Sequence, residues 1–219
     1  WWRTVGYRPA HKRSDLGYYV VPFLPLLINL IPGVQFASLS WVAMVLAVTL
    51  LVGFVEESFF RGLMLQPLKA RGHWRAAIIT ALLFGLTHAM NLLAGRSATE
   101  ELAQVFYATA IGFAYAALVL KFGILWPLVL AHFLIDFTSF IQTPGYTFSP
   151  GWTLAIVLGM GIVFTAYGLY IMLRAGDGQS SDVRSGDVRP GDDRPGAANP
   201  VGGGAAALAM PEPMKVFRP

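Results

Sequence analysis

The sequence predicts an all-α, polytopic integral membrane bundle, and three observations carry that prediction. Apolar residues make up 55% of the 219 and charged residues only 13%, where a soluble domain carries about 25% charged. Mean hydropathy is +0.56. Between Leu16 and Leu173 the basic residues are Arg61, Lys69, Arg71, Arg75, Arg96 and Lys121, and the acidic ones Glu56, Glu57, Glu100, Glu101 and Asp136; most fall in short connections. Six runs, at 16–33, 38–58, 76–93, 102–120, 124–142 and 152–173, approach the roughly 20 mostly apolar residues that a spanning helix needs.

The elements follow in order. A basic segment, residues 1–15, precedes the first run; it begins Trp1-Trp2-Arg3 without an initiator Met, as expected of a chain missing an N-terminal portion. Pro22, Pro25 and Pro32 interrupt the first run, which reads as a kinked or partial span whose freed backbone groups need neighbours. The second continues past the bilayer core, carrying Glu56 to Arg61 towards an interfacial stretch that ends near Pro67. Ala108-x-x-x-Gly112-x-x-x-Ala116 in the fourth run, and Gly161 with Gly168 in the sixth, give small-residue faces for close helix contact. Trp41, Trp74, Trp126 and Trp152 lie near predicted helix ends, where aromatic anchors sit.

Basic residues set the orientation. Arg3, Arg8, Lys12 and Arg13 precede the first run, Arg61, Lys69, Arg71 and Arg75 follow the second, Lys121 lies between the fourth and fifth, and Arg174 follows the sixth. The opposite connections hold Arg96 beside Glu100 and Glu101, and an uncharged loop around Pro144-Gly145. Positive-inside counting puts both termini in the cytoplasm, with the domain 16–173 embedded in a plasma membrane. Residues 174–219 change character: Asp182-Val-Arg-Ser-Gly, Asp187-Val-Arg-Pro-Gly and Asp192-Asp-Arg-Pro-Gly repeat before a Gly- and Ala-rich end. Such a segment buries too little apolar surface to offset its chain entropy and reads as a disordered cytoplasmic tail, open to a protein partner. Arginine-over-lysine usage and the tail composition point to a bacterial source.

Composition also excludes. No cysteine is present, which removes disulfides, thiolate zinc sites and cysteine nucleophiles. The basic balance comes from flanking segments, and no stretch interleaves clustered basic residues with stacking aromatics, so nucleic acid is not an expected partner. There is no His-Glu-x-x-His. Asp136 is the single aspartate inside the apolar runs, so no aspartyl dyad can form, and Ser38, Ser40, Ser58 and Ser139 lack a Gly-x-Ser-x-Gly elbow.

Three polar clusters sit where a membrane chain tolerates them least: Glu56-Glu57-x-x-x-Arg61, Phe84-x-x-x-His88 and His132-x-x-x-Asp136. Each isolated charge at bilayer depth costs from a few to roughly ten kcal/mol unless it faces a cavity or a partner. Glu57 and Arg61 have the spacing of an intrahelical ion pair. Glu56 points about 100° away, which suits either an interfacial charge or a desolvated general base. His88 lies one turn beyond Phe84, with Asn91 on the same face as a plain hydrogen-bond partner. His132 and Asp136 share a face, where the carboxylate can orient the ring or simply glue helices. Together the clusters resemble a catalytic constellation, or an oxygen–nitrogen site in which Glu56, His88 and His132 hold a divalent metal such as zinc.

Glu56-Glu57-Ser-Phe-Phe-Arg61-Gly62, Phe84-Gly-Leu-Thr-His88, and Leu125-Trp126-Pro127 followed by His132-Phe-Leu-Ile-Asp136 resemble, in order and spacing, the motifs of the CAAX-processing and bacteriocin-processing (CPBP, or Abi) intramembrane proteases. The similarity covers roughly residues 40–140. It implies a larger all-helical fold with a conical cavity open to the cytosol and the bilayer. It also implies that Glu56 activates the attacking water with help from His88, that His132 and Asp136 stabilise the oxyanion, and that Glu57 and Arg61 hold the site in shape, Phe84 and Asn91 supporting it. The family carries Asn or Asp at the last position. An ionised Asp136 cannot donate to an oxyanion, so it must be protonated or must orient His132. The resemblance leaves open whether the site uses no cofactor or is a metallopeptidase centre. The implied substrate is a membrane-attached or hydrophobic peptide or protein, cleaved near the cytoplasmic face; eukaryotic relatives process prenylated CAAX proteins. Two other functions stay in view: a catalytically silent scaffold or immunity-type protein of the same fold, and a proton-coupled carrier relaying through Glu56, His88 and Asp136. A carrier usually shows paired repeats of broken helices, and none is visible.

Overall fold

The computed structural model describes residues 5–90, 98–146 and 148–185, with side chains described as far as Arg174. A 3-10 helix, Arg13–Phe23, leads into α1 (Leu24–Asn29), followed by α2 (Leu39–Glu57). From α2 the chain stays helical through a π-helical stretch, Ser58–Met64, the short α3 (Leu65–Leu68) and a 3-10 turn, Lys69–Arg71. Then come α4 (His73–His88), α5 (Ala98–Phe122), α6 (Trp126–Phe140) and α7 (Pro150–Ser185). Among the described residues, β structure is limited to an isolated bridge between Val34 and Gln142.

The helical class holds; the expected count of six spans is not confirmed. Among the described residues three helices are long and apolar enough to cross a membrane: Leu39–Arg71, Ala98–Phe122 and Pro150–Arg174. The first predicted run is a 3-10 helix and a six-residue α1, because Pro22 and Pro25 deny it a continuous hydrogen-bond ladder. α4 has 16 residues and α6 has 15, about 24 and 22 Å at 1.5 Å per residue, short of a hydrocarbon core about 30 Å thick. α7 continues past Arg174 to Ser185, into the segment expected to be disordered; residues 186–219 lie outside the described residues.

α2 shows how periodicity divides the faces. The Ser38 hydroxyl accepts from Trp41 N at 3.2 Å and caps the helix start. Val45, Thr49, Gly53 and Glu57 follow at four-residue steps and are buried, whereas Met44, Val48, Leu51 and Val55 are exposed on the face a membrane would meet. The buried row packs on α6. At Gly53 an added Cβ would lie 2.9 Å from Phe133 N, so only glycine lets the α2 and α6 backbones approach this closely. α5 is the central helix: Ala110–Val119 is buried all round, with α4 on one side and α7 on the other. Gly85 of α4 makes the corresponding approach, its would-be Cβ falling 2.9 Å from Val105 O. Gly168 of α7 meets Phe113 and Ala114, and Gly161 meets Phe106, in keeping with the small-residue face expected there.

Both ends of α6 are tied down. At the start, Leu125 N donates to Gly6 O (2.9 Å), Arg8 Nε and Nη2 donate to Gly123 O and Phe122 O (2.9 Å each), and the Tyr19 hydroxyl donates to Ile124 O (2.8 Å). The N-terminal segment therefore straps the turn into α6 and satisfies carbonyls left unpaired at the end of α5. At the other end Asn29 Nδ2 donates to Ile135 O (2.9 Å) and to the Thr138 hydroxyl (3.1 Å). Arg8→Ala removes two charge-assisted bonds and is expected to cost about 2–3 kcal/mol, read as a lowered thermal midpoint in detergent. An unchanged midpoint would show that the strap does not hold α6.

Candidate active site

Glu57 ends the buried row of α2, where it is fully buried, as is Arg61 one turn on. Arg61 Nη1 donates to Glu57 Oε1 at 3.1 Å, so the intrahelical pair expected from the spacing forms. The same oxygen receives a second bond: His132 Nδ1–H donates to Glu57 Oε1 at 2.9 Å, bridging α6 to α2. The close approach at Gly53, one turn earlier, makes that reach possible. Arg61 also lies over the Phe84 ring, its guanidinium carbon 4.1 Å from the centroid. On α5, Gly112 admits the guanidinium, since a Cβ there would come within 3.1 Å of Arg61 Nη2 and of Phe84 Cδ1. The predicted pair is thus the centre of a four-helix junction.

The α-to-π change falls directly after Glu57. Pro67 follows in α3; it lacks an N–H, and its ring crowds the carbonyl four residues earlier. A wider turn before it relieves that crowding without ending the helix, and single π turns recur at functional sites.

Phe84 ties the three clusters together. Its ring meets His88 at 5.0 Å and His132 at 6.1 Å, both edge-on, and stacks against Arg61. His88 Nδ1–H donates to Phe84 O at 3.0 Å, which leaves Nε2 of a neutral ring as an acceptor. The outer edge of His132 faces two carboxylates: Nε2 is 3.5 Å from Asp136 Oδ2 and 3.8 Å from Glu56 Oε2. His132 is largely buried, whereas Glu56 and Asp136 are each about one-third exposed.

A cavity of about 120 Å³ lies between α2, α4, α5 and α6, lined by Glu57, Phe84, His88, Gln104, Tyr107, Ala108, Ile111, Tyr115, His132, Ile135 and Asp136. Glu56 is not in its wall; it stands beside it, across His132. The structure thus brings Glu56, Glu57, Arg61, Phe84, His88, His132 and Asp136 into one neighbourhood, and Asn91 lies outside the described residues. The division of labour differs from the expected one. Glu57, not Asp136, makes the short bond that fixes the His132 ring. Among the described residues no three His, Cys, Asp or Glu side chains converge as a metal-ligand set. Glu56, His88 and His132 do not form such a set. Sequence reasoning missed Gln104, Tyr107 and Tyr115. Their signal was polar and aromatic residues spaced three and eight apart, on one face of an otherwise apolar helix.

No curated protein and no solved structure matches the chain. A family model, the Rce1-like type II CAAX prenyl endopeptidases, matches residues 38–138. That stretch runs from the cap of α2 through Thr138 of α6 and contains all three polar clusters, the Glu57–His132 bridge and the cavity between them. Over residues 38–138 the chain is similar to the Rce1-like type II CAAX prenyl endopeptidases of the CPBP type.

Proposed function

We propose that the protein is an intramembrane endopeptidase that hydrolyses a peptide bond in a membrane-attached or hydrophobic peptide, using water activated by Glu56 and His88. The observation that carries this reading is the convergence of His88, His132, Glu57 and Asp136 on one cavity, with Glu56 at its edge, inside the segment that matches a protease family. Glu56 is open enough to meet water. His88, with Nδ1–H spent on Phe84 O, offers Nε2 to orient that water. The water oxygen bonds to the scissile carbonyl carbon as its proton passes to Glu56. His132, its ring fixed through Glu57, donates from Nε2–H to the oxyanion that develops. Collapse re-forms the carbonyl and breaks the C–N bond, and the leaving nitrogen takes the proton held by Glu56. Asp136, beside Nε2, balances the positive charge of that imidazolium.

The test is a product map. Purified protein in lipid is given a peptide with a prenylated or acylated C-terminal cysteine motif and its unlipidated counterpart, and the products are weighed by mass spectrometry. A single new cleavage in the lipid-attached peptide, absent in His88→Ala and His132→Ala, is expected. Wild-type protein that cleaves neither peptide, in a sample that supports its biological role, would favour the silent scaffold.

Orientation belongs to the same reading. Arg8 bonds the 122–123 turn, so two of the basic connections share one end of the bundle, as a cytoplasmic face with both termini on it requires. In Gly72→Cys, labelling by an impermeant reagent is expected only after the membrane is opened. Labelling of intact cells would invert the topology.

A further inference from the structure

We propose that Tyr115 is a positioning residue that acts through Glu57: its buried hydroxyl and Glu57 Oε2 share an ordered water, and this fixes the carboxylate that aims His132. The proposal rests on the endopeptidase reading for its kinetic consequence and on geometry for the rest.

Four buried polar atoms have no hydrogen-bond partner among the described residues and lie in one neighbourhood: Glu57 Oε2, Arg61 Nε, Arg61 Nη2 and the Tyr115 hydroxyl. Tyr115 and Glu57 line the same cavity, and the Arg61 guanidinium carbon is 5.6 Å from the Tyr115 ring centroid. Buried polar groups in folded proteins are almost always satisfied, by protein or by ordered water. The atoms here match a water's needs: Tyr115 O–H and Arg61 N–H donate, and Glu57 Oε2 accepts. A cavity of about 120 Å³ has room for such waters, since one needs roughly 10–15 Å³ of accessible space and two to four polar partners.

The sequence builds this arrangement from α5. Gly112 lets the Arg61 guanidinium lie against the helix, and Tyr115, three residues on, stands beside it. Glu57 Oε1 already accepts from Arg61 and from His132. With Oε2 also held, the carboxylate cannot swing, and His132 keeps Nδ1–H towards Glu57 and Nε2 towards the cavity. Without the hydroxyl, Oε2 loses its fixed neighbour, and both carboxylate and ring gain freedom.

The experiment uses the full chain in lipid nanodiscs, with ¹⁵N-histidine signals assigned to His132 by their loss in His132→Asn. Tyr115→Phe keeps the packing and removes only the hydroxyl. It is expected to keep the thermal midpoint and KM, to lower kcat about tenfold, as small misplacements of a reacting group do, and to shift and broaden the His132 Nδ1 and Nε2 signals as the imidazolium loses its single hydrogen-bonded orientation. Incorporation of 3-fluorotyrosine at position 115 keeps ring and fold but makes the hydroxyl a stronger donor; it is expected to displace the pH–rate profile without moving the midpoint, which a purely structural residue would not do. Unchanged His132 signals and kcat in Tyr115→Phe would overturn the proposal. Altered His132 signals in a protein whose wild type cleaves no peptide would uphold the positioning role and overturn the endopeptidase reading.

Discussion

Glu56→Gln is expected to lower peptide-bond cleavage by about 10²–10⁴, the usual worth of a positioned general base, while leaving a folded, membrane-inserted protein. The asymmetry follows from where Glu56 stands. It is about one-third exposed, and His132 Nε2, at 3.8 Å, lies beyond hydrogen-bond reach. Glutamine keeps the size and some hydrogen bonding but cannot take the proton from water. A substitution that removes no buried interaction usually changes stability by no more than about 0.5 kcal/mol. Turnover measured alongside the thermal midpoint therefore separates chemistry from folding. Full activity in Glu56→Gln would remove the base from this position and shift attention to Glu57 and Asp136. Unaltered biological function in Glu56→Gln, His88→Ala and His132→Ala alike would instead favour a scaffold, and loss of proton flux with no cleaved peptide would favour a carrier.

Much of this neighbourhood was legible because membrane-depth charges are expensive and so have to meet one another. That argument alone picks out Glu56, Glu57, Arg61, His88, His132 and Asp136, and the structure brings all six together. The reading fails where it depends on length or on tertiary distance. Hydropathy cannot fix where a helix starts and stops, which is why α4 and α6 are shorter than the apolar runs they overlap. Spacing pairs Glu57 with Arg61 because both lie on one helix. Nothing local shows that His132, 75 positions on, shares the same oxygen. Asp136 looked like the partner of His132 for the same reason, being its neighbour in sequence. Gly53 and Gly85 carry no local signal, because their value lies in the backbone of a facing helix.

Glu57→Leu is expected to be the most damaging single change to stability, and its repair separates structure from chemistry. The substitution leaves the Arg61 guanidinium, 1% exposed, without its carboxylate, and an uncompensated buried charge costs about 3–5 kcal/mol. The Phe84 face, 4.1 Å away, offsets only part of this, since a desolvated cation–π contact is worth about 2 kcal/mol. Loss of folded protein, or a large fall in thermal midpoint, is the expected result. Adding Arg61→Met removes the orphaned charge and fills its volume with an apolar chain, and replacing a buried ion pair in this way is often neutral for stability. The double variant is therefore expected to recover most of the midpoint. Cleavage is expected to stay low, because His132 Nδ1 still lacks the acceptor that holds its ring. Recovery of both stability and turnover would show that Glu57 serves Arg61 alone and that something else aims His132. If neither returns, α2 and α6 depend on the Glu57–His132 bond for their packing, and the ion pair is secondary to it.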